Sequence, residues 1–328
     1  MLLGTWNLEN LYRPGGPYGP KDKAAYETKL AALADGIRAL GPGLLGVQEV
    51  GDPEALADLV ETVGGAWHAA LSGHPDGRGI RVGVISRTPL EVLADTHAFP
   101  ARLRPVQTDD AGTAVAESGR GFLAVETVTE AGPLRVAVAH LKSKLLSYPG
   151  GRFFPHDEGE RARYGAYALY RRAAEATALR ALADGLLADD GRERDVAVLG
   201  DLNDEVQAAT TQILLGPPGS EIGTPGFRAP DRGDAARLWN VAPLIPAEQR
   251  YSRINSGRRE LIDHILTSHR LVHRVTAAGT GADTEAGAET RTETGTPEEP
   301  RLPSVGADPA ARRGEPGSDH APVWVRIG

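Results

Sequence analysis

Short aliphatic runs of strand character, spread along the whole chain, end in residues that a sheet interior does not tolerate. They are Thr5-Trp6-Asn7, Val47-Gln48-Glu49, Ala139-His140, Leu199-Gly200-Asp201-Leu202-Asn203 and Ile262-Asp263, with Ser318-Asp319-His320 a short step before a terminal strand-like run. Scattered through a core, these side chains are uncompensated polar groups that cost free energy. Gathered at one place, they form a pocket of carboxylates, amides and imidazoles, the equipment for moving a phosphoryl group with a divalent metal.

The stretches between these ends carry further structure. Leu2 to Asn7 reads as a first strand, and Tyr26, Leu30, Leu33, Ile37 and Leu40 recur at helical spacing until Gly41-Pro42-Gly43. Leu44 to Val47 is a buried strand, and Asp52-Pro53-Glu54 starts a helix with Asp52 as N-cap. The sequence predicts three strands between Trp67 and His97, then a hairpin of Phe122–Thr129 and Leu134–His140 around Gly132-Pro133. Residues 158 to 188 make the longest helix, carrying Arg161, Arg163, Arg171, Arg172 and Arg180, and Val196 to Leu199 is another buried strand. After an irregular stretch, strands resume near Tyr251 and at Leu261 to Thr267. Residues 276 to 318 are Thr, Gly, Ala, Glu and Pro with scarcely an apolar side chain, too little burial to offset the entropy of ordering. The expected architecture is one α/β domain over 1–328, two mixed β-sheets face to face with helices outside, and a mobile surface insertion at about 276–317. Pattern by itself does not separate this from a three-layer sandwich.

Composition narrows the chemistry. With 41% hydrophobic but only 5% aromatic residues, the core is filled by Ala, Val and Leu. The absence of cysteine excludes disulfides and thiolate metal sites. No run approaches the ~18 apolar residues of a membrane span, and strand-like sequence from Leu2 leaves no room for a signal peptide, so a cytoplasmic monomer is expected. The net charge of −8, from 36 basic and 44 acidic residues, is unusual for a protein that grips long stretches of DNA. Residues 276–318 contribute −4 of it, with eight acids and four arginines, so a local basic groove remains compatible.

Each strand end has a chemical reading. Asp201 and Asn203 leave the sheet on the same side of a turn, where a carboxylate can orient and deprotonate water and an amide can meet a phosphate oxygen. Glu49, directly after a buried strand, is the first choice of metal ligand. Alternation in Ile262-Asp263-His264-Ile265 turns Asp263 away from His264. Asp263 then needs a donor, and His320 is the candidate, with Asp319 completing a metal or water site. His140 and Lys142 open one edge toward phosphate oxygens, while Lys144 reads equally as a solvated loop charge. Asn7 would polarise a phosphate or order Glu49.

Taken together, Thr-Trp-Asn-Leu-Glu-Asn at the start, Gln48-Glu49-Val50, His140-Leu141-Lys142-Ser143, Gly200-Asp201-Leu202-Asn203, Ile262-Asp263-His264 and Ser318-Asp319-His320-Ala321-Pro322 resemble the endonuclease/exonuclease/phosphatase superfamily. The resemblance spans almost the whole chain. It implies a four-layer α/β sandwich and phosphoester hydrolysis with Mg²⁺ or Mn²⁺, Ca²⁺ being a further candidate. It places Asn7 and Glu49 at the metal with Asp319 near it, His140 and Asn203 on the phosphate, Asp201 as base or water-orienter, and Asp263 paired with His320. The His-Leu-Lys-Ser form and Arg78-Gly79-Ile80 look most like bacterial deoxyribonuclease-type members. Relatives often carry Asp where this chain has Arg81, and no acid from that strand is available to pair with His140, which leaves phosphate binding as the role of His140.

The leading function is therefore a metal-dependent phosphodiesterase acting on DNA, with Arg78, Arg81, Lys142, Lys144, Arg152, Phe153 and Phe154 as substrate contacts. Phe153 and Phe154 read equally as tucking a long loop onto the core. The alternative is a phosphatase or phosphodiesterase for small molecules or lipid headgroups, which the acidic net charge favours. A non-enzymatic scaffold has no physical need for every acid, amide and imidazole of the set.

Overall fold

The computed structural model describes residues 1–219, 221–281 and 316–328. Burial in β1 (Leu2–Leu11) is continuous from Leu2 to Leu8, and in β2 (Leu44–Val50) from Leu44 to Gln48. Continuous burial, rather than alternation, belongs to a parallel pair covered on both faces, which these two strands form. Between them α1 (Lys23–Leu40) is capped by Asp22, ends at Gly41 in the left-handed region, and buries the stripe Tyr26, Leu30, Leu33, Ile37 and Leu40 that its spacing predicts.

Next come α2 (Pro53–Val63) and the three expected strands β3 (His68–Leu71), β4 (Arg81–Ser86) and β5 (Glu91–Ala98). A small ribbon, β6 (Val106–Gln107) with β7 (Ala114–Val115), precedes the long hairpin of β8 (Glu117–Thr129) and β9 (Gly132–His140). The chain continues through α3 (Glu158–Leu187), β10 (Asp195–Asp201) and α4 (Ala209–Leu215) to β11 (Trp239–Asn240) and a second ribbon, β12 (Arg253–Asn255) with β13 (Arg258–Glu260). It closes with β14 (Asp263–Thr267), α5 (His269–Val272), β15 (Val275–Thr280) and β16 (Val323–Ile327).

Two six-stranded mixed sheets result, in the orders β15-β16-β1-β2-β4-β3 and β11-β14-β10-β9-β8-β5. Each carries one parallel pair at its centre, β1 with β2 and β9 with β10, with antiparallel partners outside. The inner faces meet through Leu3, Leu44, Val84, Val125, Val136, Val138, Leu199 and Ile265. The outer face of the first sheet packs Trp6, Leu45 and Val47 against Leu33, Ile37, Leu56 and Leu59 of α1 and α2. That of the second packs Phe122, Ala137, Ala139 and Val198 against Ala174, Ala178 and Leu179 of α3. The alternation of Val136, Ala137, Val138 and Ala139 between these clusters is what two-sided burial of one strand requires. The order is helices, sheet, sheet, helices, so the four-layer arrangement holds and the three-layer one does not.

Several local expectations need correction. Residues 276–280 belong to β15 and pair with β16 from Ala277↔Arg326 to Thr280↔Val323. The backbone ladder orders them despite their lack of bulk, and Gly279 leaves room for the Trp324 ring, which a Cβ would meet at 2.5 Å. The rest of the expected insertion, 282–315, lies outside the described residues. Thr129 pairs with Gly132 and Val128 with Pro133, so the expected hairpin turns at residues 130 and 131, directly before Gly132-Pro133. Asp52 is the N-cap residue of α2 as expected, but its side chain makes no capping bond; its carboxylate accepts the Arg13 N–H at 2.7 Å.

Strand direction decides what meets at the sheet ends. Parallel pairing sends Asn7 and Gln48 to one level of the first sheet, and His140 and Asp201 to one level of the second. Antiparallel β14 places Asp263 opposite Asp201, and antiparallel β16, with Val323 opposite Thr5, brings the residues just before it beside Asn7. All the marked strand ends therefore open on the same edge of the sandwich.

Candidate active site

The first sheet contributes a corner of unusual backbone. A register shift between Asn7 and Leu11 kinks β1 against β2, and Glu9, Asn10 and Glu49 take φ of 47°, 53° and 60°. Left-handed backbone at non-glycine residues costs about 1 kcal/mol or more each and persists where surroundings over-determine it. Here the determinants are visible. The Asn10 N–H donates to Glu49 Oε2 at 2.8 Å, and the Glu9 N–H donates to Asn7 Oδ1 at 2.9 Å. The Asn7 amide nitrogen, freed by that contact, donates to Asp201 Oδ2 at 3.0 Å and to Glu49 Oε1 at 3.4 Å. Asn7 thus ties the two sheets together and presents a donor to both carboxylates.

In the second sheet Asp201 is buried, its Oδ1 accepting the Asn203 N–H at 2.9 Å. Asn203 also sits at positive φ, 53°, and anchors its side chain on the Leu141 carbonyl at 3.0 Å. His140 lies in the next strand, Nε2 3.3 Å from Asp201 Oδ2 and Nδ1 buried without a partner. Burial pushes the His140 imidazolium well below its usual range, helped by the nearby charges of Arg120, His320, Arg78 and Lys142. With the imidazole neutral, the 3.3 Å approach to Asp201 is not an ion pair.

The Asp263–His320 pair expected from sequence is formed, with His320 Nδ1 2.7 Å from Asp263 Oδ2. Ser252 Oγ donates to the same oxygen at 2.6 Å, while Asp263 Oδ1 is buried without a partner. Burial opposes charge on His320, but Asp263, together with Asp201 and Asp319, overrides it and raises the imidazolium to about 10. Asp201 moves the other way from a normal acid: burial and the Asp263 charge lift it to about 7, against the pull of His320.

The segment carrying His320 is held by β1. Trp6 Nε1 donates to the His320 carbonyl at 2.8 Å, Ser318 Oγ to the Asn7 carbonyl at 2.5 Å, and the Asp319 N–H to Glu9 Oε2 at 3.0 Å.

Asp201, Asp263 and His320 bring ligand-type atoms within 4.8 Å of one another. His320 Nδ1 is already engaged by Asp263 Oδ2, so within this group the carboxylates of Asp201 and Asp263 are the hard donors that a divalent ion would take. The half-buried carboxylates of Glu49 and Asp319 offer further oxygen donors, and the unpartnered Asp263 Oδ1 adds an acceptor, a donor set that fits a hard divalent ion.

The expected substrate contacts divide. Arg78 reaches Asn10 Oδ1, on the residue whose N–H holds Glu49. Arg81 is half-buried, its Nε donating to the Gly79 carbonyl. Lys142 folds back on its own loop, Nζ donating to Ser143 O, Ser143 Oγ and Leu145 O, and burial lowers it to about 8. Lys144 pairs with Asp204 at 3.3 Å, and Arg152 with Glu160 at 2.7 Å. Phe153 and Phe154 are 63% and 82% exposed, so they do not tuck the loop onto the core. The arginines of α3 are spoken for by Glu158, Asp110, Glu175, Asp204 and Asp184. His264, turned away as its alternation predicts, holds the Asp204 carbonyl at 2.8 Å.

Arg120 was not singled out by the sequence reading. Its Nε lies 3.4 Å from Asp76 Oδ2, its Nη1 is buried without a partner, and its charge acts on both His140 and Lys142. The hairpin was the available signal: pairs from Thr129↔Gly132 to Leu123↔Val138 sum to 261, which continues residue 120 to 141, next to His140.

A family model described as the endonuclease/exonuclease/phosphatase family matches residues 4–320. Among curated proteins none matches. Solved structures do. The mannosyl-6-phosphatase of Bacteroides thetaiotaomicron is similar over 100% of this chain and 99% of its own, at 14% identity and TM-score 0.54. The human nocturnin catalytic domain with bound sulfate covers 99% and 93%, at 14% and 0.52. Truncated TDP2 of Caenorhabditis elegans covers 99% and 95%, at 12% and 0.50. At these identities the likeness speaks for the fold.

Proposed function

The chain belongs to the endonuclease/exonuclease/phosphatase family, whose members hydrolyse phosphoesters, and from that premise we propose that it is a divalent-metal-dependent phosphodiesterase that cuts DNA by in-line attack of water. The observation that carries this reading is the pooling of Asp201, Asn7, Glu49 and the Asp263–His320 pair at one sheet edge, beside the unpartnered Arg120 Nη1. Asp201 Oδ2, steadied by Asn7, orients the attacking water and takes its proton. His320, kept charged by Asp263, meets the charge that builds on the phosphoryl oxygens. Asn203 and the orphaned nitrogens of His140 and Arg120 are the remaining polar groups facing the phosphate, and meeting it satisfies buried atoms that are otherwise unpaired. Glu49 and Asp319 would hold the cation, Mg²⁺ or Mn²⁺, which supplies Lewis-acid neutralisation of phosphate charge.

Exposure of Phe153 and Phe154, in the loop between His140 and α3, favours a polynucleotide whose bases can stack. A small phosphoester is the second reading, favoured by the −8 net charge and by the pairing of the helical arginines. Plasmid nicking compared with release from a small phosphomonoester, each with and without chelator, separates the two. Nicking that chelator abolishes is the expected result; intact plasmid alongside rapid release from the monoester sinks the DNA reading. Arg120→Ala is expected to lower kcat/KM about 10- to 100-fold, the worth of a charge-assisted hydrogen bond. Unchanged kinetics would remove Arg120 from the phosphate.

A further inference from the structure

The β12–β13 ribbon pairs with neither main sheet. An isolated two-stranded hairpin is marginal in water, so a protruding one needs an anchor. Its anchor is Ser252: the Ser252 N–H donates to Glu260 O at 2.9 Å, its carbonyl accepts the Ala321 N–H at 2.7 Å, and its hydroxyl holds Asp263 at 2.6 Å. The ribbon thus springs from the residue that steadies Asp263. Its turn, Ser256-Gly257, has φ of 51° and 77°, the two-residue geometry that gives a rigid, tightly twisted hairpin.

The charge on this ribbon is out of keeping with the rest of the molecule. Residues 250–259 hold four arginines and no acid in a chain of net charge −8. Arg250 is spent on the carbonyls of Ile245 and Pro243. Arg253 Nη2 lies 3.6 Å from Asp319 Oδ2, which fixes the base of the ribbon at the rim of the site. Beyond it, Arg259 is exposed over the Tyr251 ring at 4.6 Å with Nη1 donating to the Glu248 carbonyl at 3.3 Å, and Arg258 is exposed with no side-chain partner among the described residues. Exposed arginines that no carboxylate neutralises, on a rigid projection, attract a polyanion and offer nothing to a ligand that ends at the scissile phosphate.

We propose that the β12–β13 ribbon is a second binding arm, on which Arg258 and Arg259 grip phosphates of the nucleic-acid backbone away from the scissile one. This rests on the nuclease reading above. It makes the preferred substrate a chain of several phosphodiesters, with the ribbon supplying affinity and the carboxylate pocket the chemistry.

The test uses the full chain with Mg²⁺ or Mn²⁺, a duplex of about 20 base pairs, and bis(p-nitrophenyl) phosphate as a small diester with no flanking phosphates. In Arg258→Ala/Arg259→Ala, the ratio of kcat/KM for duplex to that for the diester is expected to fall about tenfold, and the slope of log(kcat/KM) against log salt for the duplex to flatten by about two. Arg258→Lys/Arg259→Lys should restore most of the slope, because it keeps the charge. An unchanged ratio and slope overturn the proposal, as does equal loss on both substrates, which means that the ribbon acts only through Ser252 and Asp263. Wild-type protein that hydrolyses the diester but neither binds nor cuts duplex removes the nuclease reading itself, and the arm's ligand with it.

Discussion

His320→Ala is expected to lower kcat by 10²–10³, the range for deleting one preorganised donor that meets developing oxyanion charge. The imidazole is buried, bonded to Asp263 at 2.7 Å and pushed up to about 10, so it enters the reaction already charged. Removing it leaves Asp263 and Asp201 without their countercharge, and breaking a buried pair costs roughly 3–5 kcal/mol. The variant should therefore melt earlier, and circular dichroism at the assay temperature must show it folded before kinetics are compared. His320→Gln, which keeps volume and an N–H donor but no charge, is the second variant: folded yet still at least tenfold slow if charge matters. Near-normal turnover in that variant would remove the electrostatic role. Linkage gives the pH sign. A folded-state value raised from 6.5 to about 10 stabilises the fold fully below 6.5, and that stabilisation is lost as pH rises toward 10. Thermal stability of the wild type should fall between pH 7 and 10, and more steeply than that of His320→Gln.

Asp201→Asn is expected to cost a further-reaching 10²–10⁴ in kcat/KM, the range for losing a positioned general base. Asn preserves the shape that Asn7 and Asn203 enclose but cannot take a proton. Burial and Asp263 lift the Asp201 carboxyl to about 7, and a base must be ionised to act, so wild-type kcat/KM should drop on the acid side with a limb at or below about 7, since bound cation favours ionisation. The residual activity of the variant should lack that limb. The same raised value means that ionised Asp201 burdens the fold, its stabilising protonated form being lost as pH rises through about 7. At pH 8 Asp201→Asn should accordingly melt above the wild type while being nearly inactive. A variant that is both slow and less stable would point to a structural role instead.

Much of the site was legible in the linear chain because its members terminate strands. Alternation alone turned Asp263 inward and His264 away, and the structure keeps both orientations. Strand and helix positions followed from burial period and capping, and failed where a ladder outvoted composition, as in residues 276–280 of β15. Basic residues were the poorest guide. Lys142, Lys144 and Arg152 are basic in the sequence but are committed to loop carbonyls, Asp204 and Glu160. Arg120, which keeps a free nitrogen, sits in the middle of a strand without any local mark.

By itself the sequence determined which residues end the strands, and therefore which chemistry is available: carboxylates, amides and imidazoles with no thiol. Only the tertiary structure decided that these ends share one edge, because strand order and direction are set by hydrogen bonds between segments as far apart as Leu2 and Arg326. It also decided the charges. His140 and His320 are the same residue type, yet one is driven neutral by burial among cations and the other is held charged by Asp263. A proton's free energy sums over every group around it, and those groups come from different strands, so no local stretch of sequence contains the answer.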